Sequence, residues 1–172
     1  LLADARKYFY LKPFTFAVRG MAYARTGGNS TEFSLQYPLF AGNSFFVRGY
    51  DRNVFSATED PDFIFRTVGS KMVIGNFEVR LPFTGPRRLS LIKSNFVVTD
   101  LNLFFDAGLA FYENADLKND AFLQHKPIFS TGVSLRVNLF GYLVLEPYFA
   151  LPISAPESEK TWRFGLNFIP GW

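Results

Sequence analysis

Val97-Val98-Thr99-Asp100-Leu101-Asn102-Leu103-Phe104-Phe105-Asp106-Ala107-Gly108-Leu109-Ala110-Phe111 alternates residue by residue. One face reads Val97, Thr99, Leu101, Leu103, Phe105, Ala107, Leu109 and Phe111. The other reads Val98, Asp100, Asn102, Phe104, Asp106, Gly108 and Ala110. Successive side chains of a strand point to opposite sides, so this pattern is a strand with one apolar and one polar face. Strands in soluble sandwiches run to about five or six residues, whereas crossing a bilayer at a tilt takes about ten. The stretch therefore predicts a membrane-spanning strand with lipid on one side and a polar interior on the other.

The same period recurs on both sides of it. Val73, Gly75, Phe77, Val79, Leu81 and Phe83 oppose Asn76, Glu78, Arg80 and Pro82. Phe129, Thr131, Val133, Leu135, Val137 and Leu139 oppose Ser130, Gly132, Ser134, Arg136 and Asn138. Leu143, Leu145, Phe149, Leu151 and Ile153 oppose Tyr142, Val144, Glu146, Tyr148 and Ala150, with Pro147 expected to mark a bulge because it cannot donate to a ladder. The last strand, about 161–169, sets Trp162, Phe164, Leu166 and Phe168 against Thr161, Arg163, Gly165 and Asn167. Two earlier strands, around Ala5–Leu11 and Phe14–Tyr23, alternate less cleanly; Lys7 falls on the apolar side and is expected at a membrane boundary, where a long side chain snorkels.

A one-residue slip in register would turn Glu78, Arg80, Arg136, Glu146 and Arg163 toward lipid, at about 2–4 kcal/mol for each Arg near the midplane. Aromatic residues near strand ends (Phe83, Phe111, Tyr112, Trp162, Phe168, Trp172) suit interfacial girdles. The expected fold is thus all-β: about seven strands of a transmembrane antiparallel β-barrel, with residues 1–172 forming the C-terminal part of one barrel domain. A soluble seven-stranded sandwich is the alternative, and strand length argues against it. Seven is odd, while single-chain bacterial barrels use even counts, so further strands are expected from before Leu1 or from another chain.

On one rim the connections are tight turns at Leu11–Pro13 and Leu139–Tyr142 and of moderate length at Thr84–Asn95. They are long on the other, at about 26–70, Glu113–Lys126 and Ser154–Lys160. Barrels of the outer membrane place short turns in the periplasm and long loops outside. The loop at 26–70 is rich in aromatics, among them Phe33, Tyr37, Phe40, Phe45, Phe46, Tyr50, Phe55, Phe63 and Phe65, which predicts a segment packed inside the lumen. Arg48 in that loop would need a counter-charge there, and Glu78 and Asp106 face inward to supply it. Gly49 allows a sharp turn beside the pair, and Gly108 leaves space next to Asp106.

Composition narrows the function classes. Of 172 residues, 48% are hydrophobic and only 19% charged, with 22 Phe and no Cys. No apolar run approaches the roughly 18 residues of a transmembrane helix, so a membrane would be crossed by strands. The net charge of +3 is dispersed, which excludes a nucleic-acid footprint. The one histidine, His125, stands in a polar loop without a nucleophile or ligand set around it. The acidic run Glu59-Asp60-Pro61-Asp62 lacks calcium-ligand spacing and is expected to be a solvated loop tip. No catalytic residue, metal site or cofactor is expected.

Val47-Arg48-Gly49-Tyr50 resembles the signature of the lumen-inserted sixth extracellular loop in the bacterial surface antigen superfamily, which takes in BamA-type assembly insertases, TamA and the two-partner-secretion transporters. Phe105-Asp106-Ala107-Gly108 and Gly75-Asn76-Phe77-Glu78 look like its matching strand motifs. Thr161-Trp162-Arg163-Phe164-Gly165-Leu166-Asn167-Phe168, closing at Trp172, is similar to its last strand. The resemblance implies a sixteen-strand barrel in the bacterial outer membrane, of which these are the last seven strands. It also implies a loop–lumen lock of Arg48, Gly49 and Tyr50 with Glu78 and Asp106, either a scaffold fastening or an active element. Further, it implies a seam strand carrying Trp162, Phe164, Gly165, Phe168 and Trp172. Gly165 would either weaken that strand or make room for a neighbouring side chain. A nearer likeness, from Asp4-Ala5-Arg6-Lys7-Tyr8-Phe9 and Pro170-Gly171-Trp172, is to Bacteroidota-type proteins with a periplasmic TolB-like propeller ahead of the barrel.

By this resemblance the function is membrane insertion or export of proteins, and the alternative is a passive anchor or scaffold barrel. The partners implied are outer-membrane lipid, the N-terminal strands or a periplasmic domain, and unfolded outer-membrane proteins or other complex subunits.

Overall fold

A computed structural model describes residues 1–27, 37–51, 63, 66–85, 90–94, 97–112, 126–139 and 143–170. Seven long strands make one antiparallel meander: β1 (Leu2–Leu11), β2 (Phe14–Ala24), β5 (Lys71–Gly85), β7 (Val97–Phe111), β8 (Ile128–Leu139), β9 (Leu143–Pro152) and β10 (Arg163–Pro170). Each pairs with the next, in the order β1-β2-β5-β7-β8-β9-β10. Within the long connection β3 (Leu39–Phe40) pairs with β4 (Val68–Gly69), and after β5 the short β6 (Ile92–Lys93) runs parallel to its end. Strands of two residues carry no periodicity, so the sequence pattern does not announce them.

Alternation becomes two faces. Phe77, Leu103, Phe105, Phe149, Phe164 and Phe168 are exposed on the outer one, between 42% and 63% of their surface. Outward rings meet across strands, as in Phe105–Phe129 at 5.9 Å and Phe149–Phe164 at 5.3 Å between centroids. Such cross-strand pairs stabilise a sheet, and this band of aromatics facing out is the surface a bilayer requires. On the inner face Asn102, Phe104, Asp106, Ser130, Ser134, Glu146 and Tyr148 are buried.

The inner face is buried by the long connection folding back over it. Val47, Tyr50 and Phe63 from that connection pack with Met21, Met72, Ile74, Ala110 and Ile128 of the wall. Fully burying each large apolar side chain contributes about 1.5–3 kcal/mol. Not every aromatic of the loop enters: Tyr37 is 82% exposed and Phe45 about half. Phe33, Phe55 and Phe65 lie outside the described residues, as do His125, Tyr142, Trp172 and the acidic run at 59–62.

Three details depart from the expected pattern. Pro147 interrupts the β8–β9 ladder, yet Ser134↔Tyr148 and Val137↔Leu145 share one register, so there is no bulge at this point. The irregularity falls instead between Pro82 and Thr84 on β5. Beside it Thr99 turns inward, with its hydroxyl 2.8 Å from that of Thr84, and Val98 turns out. The last strand starts at Arg163 rather than near 161, which leaves Trp162 just ahead of it and 59% exposed.

Candidate functional site: a locked loop inside the sheet

Arg48 is the centre of the inner face, 4% exposed. Register brings its partners together. Asn76 on β5 stands opposite Asp106 on β7, so Glu78 is one diagonal step from Asp106. Arg48 Nε donates to Asp106 Oδ2 at 2.8 Å, and Nη2 to Asp106 Oδ1 at 2.9 Å and Glu78 Oε1 at 2.9 Å. A third carboxylate joins from β9: Nη1 donates to Glu146 Oε1 at 3.0 Å. The guanidinium also lies 3.6 Å from the ring centroid of Phe104. Burial alone would make Arg48 easier to deprotonate, but Asp106, Glu78 and Glu146 more than offset it and hold the pKa above the ordinary arginine value.

The acids are themselves held. Asn76 Nδ2 donates to Asp106 Oδ1 at 2.9 Å and to the Phe46 carbonyl at 2.7 Å. Arg80 donates to Glu78 Oε2, and Ser134 Oγ to Glu146 Oε1 at 2.8 Å. A buried ion pair is stabilising only when its remaining oxygens are satisfied in this way. The residues beside Arg48 complete the seating. Gly49 takes a φ of +86°, and a Cβ there would meet that of Ala150 at 2.9 Å. Tyr50 donates to the Phe129 carbonyl at 2.6 Å and accepts from the Ser154 N–H at 3.0 Å. Burial raises the pKa of its hydroxyl, so it stays protonated as a donor. The space left by Gly108 is occupied by Val47, whose Cγ2 lies 2.6 Å from where a Cβ would stand.

Sequence reasoning places Arg48, Gly49, Tyr50, Glu78 and Asp106 together, and the structure does bring them together. It misses Glu146 and Phe104. Both are legible as inward-facing, but which inward acids converge depends on how the sheet curves, and alternation carries no curvature.

Farther along the loop, Arg19 of β2 donates to the Phe45 carbonyl at 2.8 Å, and Asn167 of β10 to the Ser44 carbonyl at 3.2 Å. The seam residues Phe164 and Phe168 lie on β10 facing outward, and Gly165 faces the Tyr148 ring. Among the described residues β10 is paired on one side only, with β9, and β1 only with β2.

A membrane-type antiparallel wall, with an inserted loop fastened to its polar face by one arginine and three acids, is a partial transmembrane β-barrel with an internal loop, not closed within the described residues. A family model for the Omp85 superfamily domain matches residues 1–168, and the chain belongs to that superfamily. Its members are bacterial outer-membrane proteins of protein assembly and translocation, generally without enzymatic activity. No curated protein matches the chain.

Proposed function

We propose that this chain forms one side of a barrel that inserts or exports proteins, with the β10 edge receiving the backbone of an unfolded client strand. What supports this reading is membership of the Omp85 superfamily, a family of protein assembly and translocation, together with the apolar outer face of the last strand, Phe164, Leu166 and Phe168. Unpaired backbone N–H and C=O groups cannot be left in hydrocarbon, so the outer edge of β10 pairs either with a further barrel strand or, when that seam opens, with a client strand. The β1 edge needs a partner for the same reason, which we assign to further barrel strands.

A passive scaffold is the second reading. It is favoured by the saturation of the lock, in which both oxygens of Glu78 and of Asp106 accept hydrogen bonds. The test uses the complete natural protein in liposomes with an unfolded outer-membrane barrel as client. Insertion faster than in empty liposomes, lost when engineered cysteines lock the edge, supports the insertase; no acceleration leaves the scaffold.

A further inference from the structure

On the short-turn side of the loop the inner face leaves a cavity of about 190 Å³. Arg6, Arg19, Arg48, Arg80 and Arg136 line it with the carboxylates of Glu78 and Glu146, and Asp4 and Asp106 pair with three of these arginines just outside it. Glu78 accepts from Arg48 on one oxygen and Arg80 on the other, while Glu146 accepts from Arg48 and Ser134 on Oε1 and turns Oε2 toward Arg136. Arg48 and Arg19 are spent, the first on the lock and the second on Asp4 and Phe45. Arg136 differs. It makes only long ion pairs, 3.6 Å to Glu146 and 4.0 Å to Glu78, and donates no side-chain hydrogen bond among the described residues, so its N–H donors are the least used of the five. Asp100 stands opposite it in the β7–β8 ladder, but makes no ion pair within 4.0 Å among the described residues. Arg80 points two of its nitrogens at Glu78, and Arg6, half-exposed at the rim, holds Asp4.

We infer that this cavity is an oxyanion-binding site, in which the planar fork of Arg136, flanked by Arg80 and Arg6, takes a carboxylate or phosphate group arriving from the periplasmic side. Guanidinium is suited to both groups because its parallel N–H donors match paired oxygens, and a partly desolvated site strengthens each charge-assisted bond. The site is separate from strand insertion and does not depend on it.

The test is calorimetric titration of the complete protein in nanodiscs at low salt, with inorganic phosphate in one arm and a hexaglutamate peptide in the other. The expected result is saturable binding in the millimolar range or tighter, weakened at least about tenfold by Arg136→Gln and less by Arg136→Lys, which keeps charge without the fork. Arg6→Gln, at the exposed rim, should weaken it by a smaller factor. Heat-modifiable gel mobility reports that each variant is folded. Saturation by phosphate alone assigns the site to small oxyanions, and saturation by the peptide, with or without phosphate, assigns it to acidic polypeptide. No saturation in either arm, or binding indifferent to Arg136→Gln in a folded barrel, overturns the proposal.

Discussion

Tyr148 on β9 lies across Gly165 on β10: a Cβ at position 165 would stand 2.1 Å from Cζ of the ring. The two residues are directly paired in the ladder, and Tyr148 is 2% exposed. The glycine is thus the seat of an aromatic side chain, which is the spatial one of the two roles open to it in the sequence. Gly165→Ala should destabilise the barrel by about 1–3 kcal/mol through overpacking. Adding Tyr148→Ala should remove most of that clash, at the cost of a cavity. Unfolding in denaturant of the two single variants and the double separates the readings, since a clash gives strong coupling and a weakened strand gives additivity.

The lock predicts a charge-dependent loss. Arg48→Glu brings a fourth carboxylate against Asp106, Glu78 and Glu146, and removing one partner of a buried pair costs about 3–5 kcal/mol. The expected outcome is lost heat resistance, or a loop that becomes open to protease. Asp106→Arg in the same chain should restore part of both. Heat resistance and loop protection unchanged in Arg48→Glu would refute the pairing.

Gly108 offers a second steric test on the other side of Arg48. With Val47 Cγ2 only 2.6 Å from the point an added methyl would occupy, Gly108→Ala should push the loop off β7. Val47→Ala should accommodate that methyl, so the double variant is expected to regain protease protection that Gly108→Ala loses. Mass spectrometry of loop fragments after limited proteolysis reads this out.

Tyr50 predicts a pH dependence. Its folded pKa is raised by burial, so its contribution is complete below the ordinary tyrosine value near 10 and is lost as pH climbs through the higher folded value. Tyr50→Phe removes the bonds to Phe129 and Ser154, worth about 1 kcal/mol each at neutral pH. Its stability should therefore fall less steeply in alkali than that of the natural protein. Parallel curves for the two proteins above neutral pH would contradict this.

How much of the fold is legible in the sequence follows from what a period of two encodes. Alternation identifies strands and faces, so the seven long strands and the inward setting of Glu78, Asp106, Glu146 and Arg136 can be read directly. It does not encode where a ladder slips. Pro147 is the natural place to expect a slip, but there the ladder keeps register past the missing donor, and the slip sits at Pro82–Thr84. Nor does it encode distance across the interior. Arg48 and Glu146 are 98 positions apart, and only the bend of the wall joins them. Asn167 is likewise readable as inward-facing, with nothing to say that it reaches Ser44.

Ser44 and Phe45 are neighbours in the chain, and their carbonyls are gripped from opposite flanks, by Asn167 of β10 and Arg19 of β2. Arg19 also holds Asp4 of β1 at 2.9 Å. The loop therefore works as a tie rod strung across the arc. Around the wall, a displacement at β10 must pass through every intervening strand before it reaches β1. Along the rod the route runs through three side chains and one peptide unit, so the loop couples the first, second and last strands directly.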